Sequence, residues 1–171
     1  MTTDVFDLPD ELAGSAPHAG PTMAPASRGT PDRGPILLVE DEADDARLVA
    51  EALHEANASR ELLRVADADE ALALLNRRPP YEEAPTPALV LLDLNLPRTG
   101  GLDVLAALKG DPELRRIPVV VLTSSAARSD ILAAYAAHAN AYLRKPVGFD
   151  ALVELLSVVD AFWFDCTVPC P

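Results

Sequence analysis

Four apolar runs in this chain stop at polar side chains whose types belong together chemically. "ILLV" (36–39) is followed by Glu40, Asp41 and Glu42, and "ALVLL" (88–92) by Asp93. "PVVVLT" (118–123) ends in Thr123 with Ser124 and Ser125 behind it, and "AYL" (141–143) leads to Lys145-Pro146. A carboxylate at the end of a segment built for burial is costly unless something pairs with it. Carboxylates brought close together repel, and each raises the pKa of the others. A divalent cation relieves that conflict. Mg²⁺ in particular takes one or two carboxylates with waters and a phosphate in octahedral oxygen coordination. Aspartate is also a competent nucleophile toward phosphorus and forms an acyl phosphate. A lysine ammonium and a hydroxyl then meet the remaining charge of the transferred group. Asp41, Asp93, Thr123 and Lys145 supply that set, with Asp93, paired with Mg²⁺ and Lys145, as the residue that becomes phosphorylated.

This chemistry requires the four runs to end side by side. Short continuous apolar runs are what a parallel strand buried on both faces presents. Between them the pattern turns helical. Residues 44–57 place Ala46, Val49, Ala50 and Leu53 along one side, and Asp44 and Asp45 suit the positive N-terminal end of that helix as a solvated start. A weaker strand, 62–67, precedes an Ala/Leu helix over 68–77. Residues 79–87 hold four prolines and read as a loop. Helices follow at 102–110, 128–138 and 149–162. Five strands alternating with five helices predict an α/β fold: a flavodoxin-like, doubly wound, five-stranded parallel sheet with right-handed crossovers. Such sheets bind ligands at the carboxyl ends of their strands, where the strand order reverses. In the order 2-1-3-4-5 the first and third strands are neighbours roughly 4.8 Å apart, so Asp41 and Asp93 face each other across one crevice.

Composition narrows the partners. The net charge of −13 argues against nucleic acid and against an anionic membrane surface. No apolar run approaches the roughly 18 residues of a membrane span, and the N-terminus lacks the basic-then-apolar order of a secretory signal. Cys166 and Cys170 fall in the last six residues and read as free thiols, consistent with a cytoplasmic protein. His18, His54 and His138 have no partner at ligand spacing. Residues 1–35, rich in Pro and Ala, read as a disordered leader, with a short docking element conceivable at "DVFDLPDEL". Residues 36–162 are the folded domain and 163–171 a C-terminal tail.

Residues 36–160 resemble the receiver domain of two-component response regulators. The resemblance rests on "LLVEDEADDARLV", "LVLLDLNLPRTGGLDVL", "IPVVVLTSSA" and "AYLRKPV", in the family's order. It implies that Asp93 takes a phosphoryl group from a phosphohistidine on a sensor histidine kinase. It implies that Asp41 and Asp93 ligate Mg²⁺ with the main-chain carbonyl of Asn95, and that Glu40 acts through metal-bound water. Thr123 is then the residue that swings toward the phosphoryl group, Tyr142 rotates inward behind it, and Lys145 binds a phosphate oxygen. A cis Lys145–Pro146 peptide is also implied. The segments "LDLNLPR", "DPELRRIPVVVLTSSA" and "VVDAFWFD" are similar to single-domain regulators that partner bacterial phytochrome-type kinases. Gly100 departs from the family, which carries a polar residue before the glycine matched by Gly101; two glycines raise the loop's conformational freedom.

About nine residues follow the last helix, so the reading is a stand-alone receiver, not an enzyme, whose signal leaves by contact with a downstream protein that the sequence does not identify. "FWF" (162–164) bears on this. Successive helical residues are about 100° apart, so Phe162, Trp163 and Phe164 cannot all face one core. Exposed aromatic area at a helix end marks a contact. A homodimer is expected there, with the fourth helix and fifth strand; the alternative is a tail folded back over its own domain. Two rival functions fit the residues less well. A phosphatase of the haloacid dehalogenase kind wants a second aspartate two residues after the first, and that residue is Asn95. A phosphorylation-independent interaction module of receiver fold typically lacks the acid pair, the acceptor or the lysine, and all are present here.

Overall fold

The computed structural model describes residues 34–56, 58, 60–97 and 100–168. The chain divides into two units, residues 1–31 and 32–171. The first, and with it most of the expected leader, lies outside the described residues, as does Cys170.

Strands β1 (Ile36–Val39), β2 (Leu62–Val65), β3 (Leu89–Leu92), β4 (Val119–Thr123) and β5 (Ala141–Arg144) form one parallel sheet in the order β2-β1-β3-β4-β5. They alternate with α1 (Ala43–Glu55), α2 (Ala68–Leu75), α3 (Gly101–Gly110), α4 (Arg128–Ala136) and α5 (Phe149–Asp160). A 3-10 turn, Leu114–Arg116, precedes β4. This is the expected flavodoxin-like topology.

Strand parity splits the core into two layers. Leu37, Val39, Val90, Leu92, Val119 and Val121 point to one face, where α2, α3 and α4 supply Ala71, Leu105 and Ala134. Ile36, Leu38, Leu89, Leu91, Val120 and Leu122 point to the other, against Val49 of α1 and Leu156 of α5. The central strands are buried along their whole length, which is why, Thr123 at the end of β4 apart, they are apolar at every position rather than at every second one. Each fully buried Leu or Val removes enough apolar surface from water to be worth roughly 1.5–3 kcal/mol.

Local chemistry sets the helix starts. Asp67 caps α2, its carboxylate accepting from the Glu70 amide at 2.9 Å, while Glu70 accepts from the Ala66 amide at 3.0 Å. Gly101 opens α3 so close to β3 that a Cβ there would lie 2.7 Å from the Leu94 Cα and against the Asp93 carbonyl. Only glycine lets the helix start where it does.

Two expectations are corrected. The Lys145–Pro146 peptide is trans; the cis peptide among the described residues is Pro79–Pro80. An X–Pro bond prefers trans by only about 0.5–1 kcal/mol, so residue identity alone does not choose the isomer. The chain also does not leave the helix at residue 162. Ala161–Cys166 continue as a π-helical turn, with the Thr167 amide bonded to the Phe162 carbonyl at 3.1 Å.

Candidate functional site

Parallel register brings the site together. Val39 stands opposite Leu92, and Thr123 opposite Arg144. The backbone ladder runs one residue further at each strand: the Asp93 amide donates to the Val39 carbonyl (3.0 Å), the Lys145 amide to the Thr123 carbonyl (2.8 Å) and the Glu40 amide to the Val65 carbonyl (3.0 Å). Glu40 and Asp93 therefore stand level at the carboxyl edge of the sheet, and Lys145 lies two residues further out on the β5 side. Glu40, rather than the expected Asp41, is level with Asp93; Asp41 sits one residue further out and is half-buried.

The Lys145 ammonium gathers three carboxylates. Its Nζ lies 2.6 Å from Glu40 Oε2, 2.8 Å from Asp45 Oδ2 and 2.9 Å from Asp93 Oδ2. Glu40 and Asp93 are buried; Asp45 is half exposed. Burial works against the charged lysine, but the bonds to Asp45, Glu40 and Asp93 outweigh it and raise the Lys145 pKa. Burial pushes Asp93 up, yet the Asn95 amide on Oδ1 (3.0 Å), Lys145 and the Thr123 hydroxyl together hold its pKa below the ordinary value. Glu40 moves the other way: its burial, reinforced by the nearby Asp93 charge, exceeds what Lys145 and the Glu42 amide return, and its pKa is raised. Glu40 thus accepts directly from Lys145.

The place of Asp45 corrects the reading of it as a solvated helix start. A helix that follows a strand in such a sheet begins at the strand's carboxyl end. Its first turn, where Asp45 lies, therefore belongs to the ligand side of the molecule. That topological signal was available in the sequence. Arg64 was not singled out either. It projects from β2, and its guanidinium donates to the carbonyls of Glu40 and Asp41.

Three carboxylates, of Glu40, Asp45 and Asp93, meet one ammonium, and Asp41 follows Glu40 directly in the chain. Among the described residues no group of three or more His, Cys, Asp or Glu side chains is placed to hold a metal ion by itself. The donors available are two carboxylates, of Asp41 and Asp93, and the Asn95 carbonyl. An open oxygen set with excess negative charge fits Mg²⁺, which keeps several of its own waters and binds through one or two carboxylates; it does not fit a cation that needs a full protein shell.

Behind the carboxylates a hydrogen-bonded path leads away. Thr123 is fully buried. Its Oγ1 accepts from the Asn95 side-chain amide and from the Ser125 backbone amide, both at 3.3 Å. The Ser125 carbonyl accepts from the half-buried Tyr142 hydroxyl at 3.1 Å, and the Ser125 hydroxyl donates to Asp130 at the start of α4. Thr123, Ser125 and Tyr142 thus connect the Asp93 crevice to α4 and β5.

The aromatic triplet divides. Phe162 is 53% exposed. Trp163 is half-buried, meeting the Phe162 ring edge-on at 5.1 Å. Phe164 is 1% exposed, part of this chain's own core, with the Arg60 guanidinium 4.5 Å from its ring centre. It is therefore not available to a second copy, a consequence of the angular spacing that sends three neighbours in three directions. His54 and His138 lie on the surface.

The known protein family that matches is the response regulator receiver domain, over residues 36–157. Response regulator Rcp1 of Synechocystis sp. is 44% identical over 136 residues, which are 80% of this chain and 92% of that protein. The phosphorylated cyanobacterial phytochrome response regulator RcpA superposes with a TM-score of 0.75 at 41% identity, over 79% of this chain and 96% of that one. The Mn²⁺-bound form of Rcp1 superposes with a TM-score of 0.74 at 41% identity, over 81% and 99%. With the predicted strand order, the carboxylate–lysine edge and these relatives in agreement, the chain belongs to the response regulator receiver domain family.

Proposed function

We propose that this chain is a phosphorylation-dependent response regulator in phytochrome-type light signalling, with Asp93 accepting a phosphoryl group from a histidine kinase. One observation carries the reading: the Asp93 carboxylate, held ionised by Lys145 and the Asn95 amide, sits at the carboxyl edge of the sheet beside excess negative charge. The ionised form is the nucleophile. An Asp93 oxygen attacks phosphorus, the P–N bond to the donor histidine breaks, and the imidazole leaves. Asp41, Asp93 and the Asn95 carbonyl would hold Mg²⁺, with Glu40 acting through water, and the bound cation would supply charge to offset the repulsion between phosphoryl oxygens and carboxylates. Lys145 meets a phosphate oxygen, giving up part of its hold on Glu40 and Asp45. The relatives support both halves of the reading, since one is a phosphorylated phytochrome regulator and another binds Mn²⁺.

The phosphoryl group draws the Thr123 hydroxyl toward itself, and the Ser125–Tyr142 link carries that change to α4 and β5. Phosphorylation thereby biases a two-state equilibrium of that face. Output is by protein contact. Phe162 and Trp163, with the exposed Leu132 and Tyr135 of α4 and Val158 of α5, form the surface of a homodimer. The charge of −13 disfavours nucleic acid, and no helix among the described residues is long and apolar enough to cross a membrane. Asn95, where a phosphatase of this nucleophile class needs an acid, favours a signalling module over a hydrolase.

The test is transfer from a kinase. A purified phytochrome-type histidine kinase, labelled on its histidine, is mixed with the chain and Mg²⁺. Label moving to the chain within seconds to minutes, and not to an Asp93→Asn variant, supports the reading. Label that stays on every such kinase, while an unrelated kinase transfers readily, removes the light-signalling assignment but keeps the receiver.

A further inference from the structure

β2 is an edge strand, and Arg64 is its one charged residue, paired in register with Leu38 of β1. Although the residue is exposed, its guanidinium is bonded to backbone rather than left to solvent. It reaches past the end of β1, where Nε and one terminal nitrogen donate to the Glu40 carbonyl at 3.3 and 3.2 Å. The same terminal nitrogen donates to the Asp41 carbonyl at 3.1 Å. These two carbonyls belong to the two peptide planes that flank the Asp41 Cα. One rigid guanidinium therefore fixes both planes, and with them the direction of the Asp41 Cα–Cβ bond. The loop is further closed by the Glu42 amide on Glu40 Oε1 at 3.3 Å. The setting needs such a clamp, because five of the six residues 40–45 are acids and their mutual repulsion favours a splayed loop.

We propose that Arg64 is a positioning residue of the metal site: by clamping the Glu40 and Asp41 carbonyls it holds the Asp41 carboxylate where a divalent cation meets it. The inference rests on the reading that Asp41 and Asp93 hold Mg²⁺. Charge alone predicts the opposite sign, because removing a positive group from beside a cation site strengthens cation binding. Geometry and charge are thus separable. Lysine keeps the charge and loses the fork; methionine loses both.

The experiment is a calorimetric Mg²⁺ titration of the full chain, without phosphodonor, for wild type, Arg64→Lys, Arg64→Met and Arg47→Met. Arg47 is a surface residue of the same loop–helix segment, paired with Asp44, and its loss removes one charge but no clamp. Both Arg64 variants are expected to weaken Mg²⁺ binding on the order of tenfold, the lower range for losing an outer partner of a ligand. Arg47→Met is expected to bind as well as wild type or slightly better. Faster hydrogen exchange of the Glu42 amide in the metal-free Arg64 variants accompanies the loss. Should the methionine variant fail to fold, the lysine variant decides. Wild-type affinity in Arg64→Lys, or tighter binding in Arg64→Met, overturns the inference while leaving the metal site standing. A wild type that takes up no Mg²⁺ overturns the metal reading, and the inference with it.

Discussion

Lys145 brings one positive charge to Glu40, Asp45 and Asp93, so its removal tests how the acids tolerate one another. Lys145→Ala is expected to cost about 3 kcal/mol in urea unfolding without metal, the lower range for breaking a buried pair, and to tighten Mg²⁺ binding, because the cation then becomes the main counter-charge. The pH dependence follows from Asp93. Its folded pKa lies below its ordinary value, so the stability it contributes is complete above the ordinary aspartate range and is lost as pH falls through the folded pKa. Glu40, raised by burial, opposes this: it costs stability above its ordinary range and returns it as pH falls through its own raised value. Asp93→Asn is therefore expected to flatten the loss of urea stability on acidification, measured as the midpoint against pH. The two adjacent glycines should behave oppositely. Gly100 is an N-cap with φ −65°, and a Cβ there would meet only the Asp103 carboxylate at an ordinary 4.0 Å, so Gly100→Asn is expected to stabilise by roughly 0.5–1 kcal/mol. Gly101→Ala, whose Cβ meets the β3 backbone, is expected to destabilise by about 2 kcal/mol and to slow phosphorylation by displacing Asp93. Residue types exposed Asp93, Asp41, Thr123 and Lys145 in the sequence because acids and lysine are anomalous at the ends of apolar runs. Asp45 and Arg64 are less legible because an acid at a helix start and an arginine on an edge strand are ordinary where they stand; the position of the first helix after β1 still marks Asp45 as lying on the ligand side, whereas Arg64 is tied to the site only by partners 24 positions away in sequence.

At the scale of elements, strand identity was legible because burial on both faces forces apolar residues at every position of β1 and β3 and at every position of β4 before Thr123. Helix ends were less legible. The last helix was expected to stop at residue 162, but i to i+5 bonding carries it on to Cys166, and no residue type announces a π turn. That turn places Phe164 in the core against Arg60 and leaves Phe162 outside. The two phenylalanines should separate folding from assembly. Phe164→Ala is expected to cost about 3–5 kcal/mol. Phe162→Ala is expected to stay within about 0.5 kcal/mol of wild type while shifting the sedimentation of the chain toward monomer. Loss of dimer without loss of stability would tie assembly to the exposed ring; an unchanged sedimentation profile would remove Phe162 from the interface.

For the whole molecule, the sheet order explains why one edge holds both the proposed acceptor and the proposed readout. β1 and β3 meet at the reversal of strand order, which creates the crevice, and β4 and β5 follow on the same side, so Thr123 and Tyr142 extend from the crevice toward α4. A change at Asp93 then needs only small side-chain movements to reach an exposed face, and ligand-driven population shift requires no rearrangement of the core. The account stands or falls on whether Asp93 carries the phosphoryl group. The most direct measurement is to incubate the chain with a small-molecule phosphodonor and Mg²⁺, reduce the acyl phosphate with borohydride, and map the modified position by peptide mass spectrometry. The account predicts a single reduced site at Asp93, dependent on Mg²⁺ and absent in Asp93→Asn. Modification at another residue, or none with Mg²⁺ shown to bind, would contradict it.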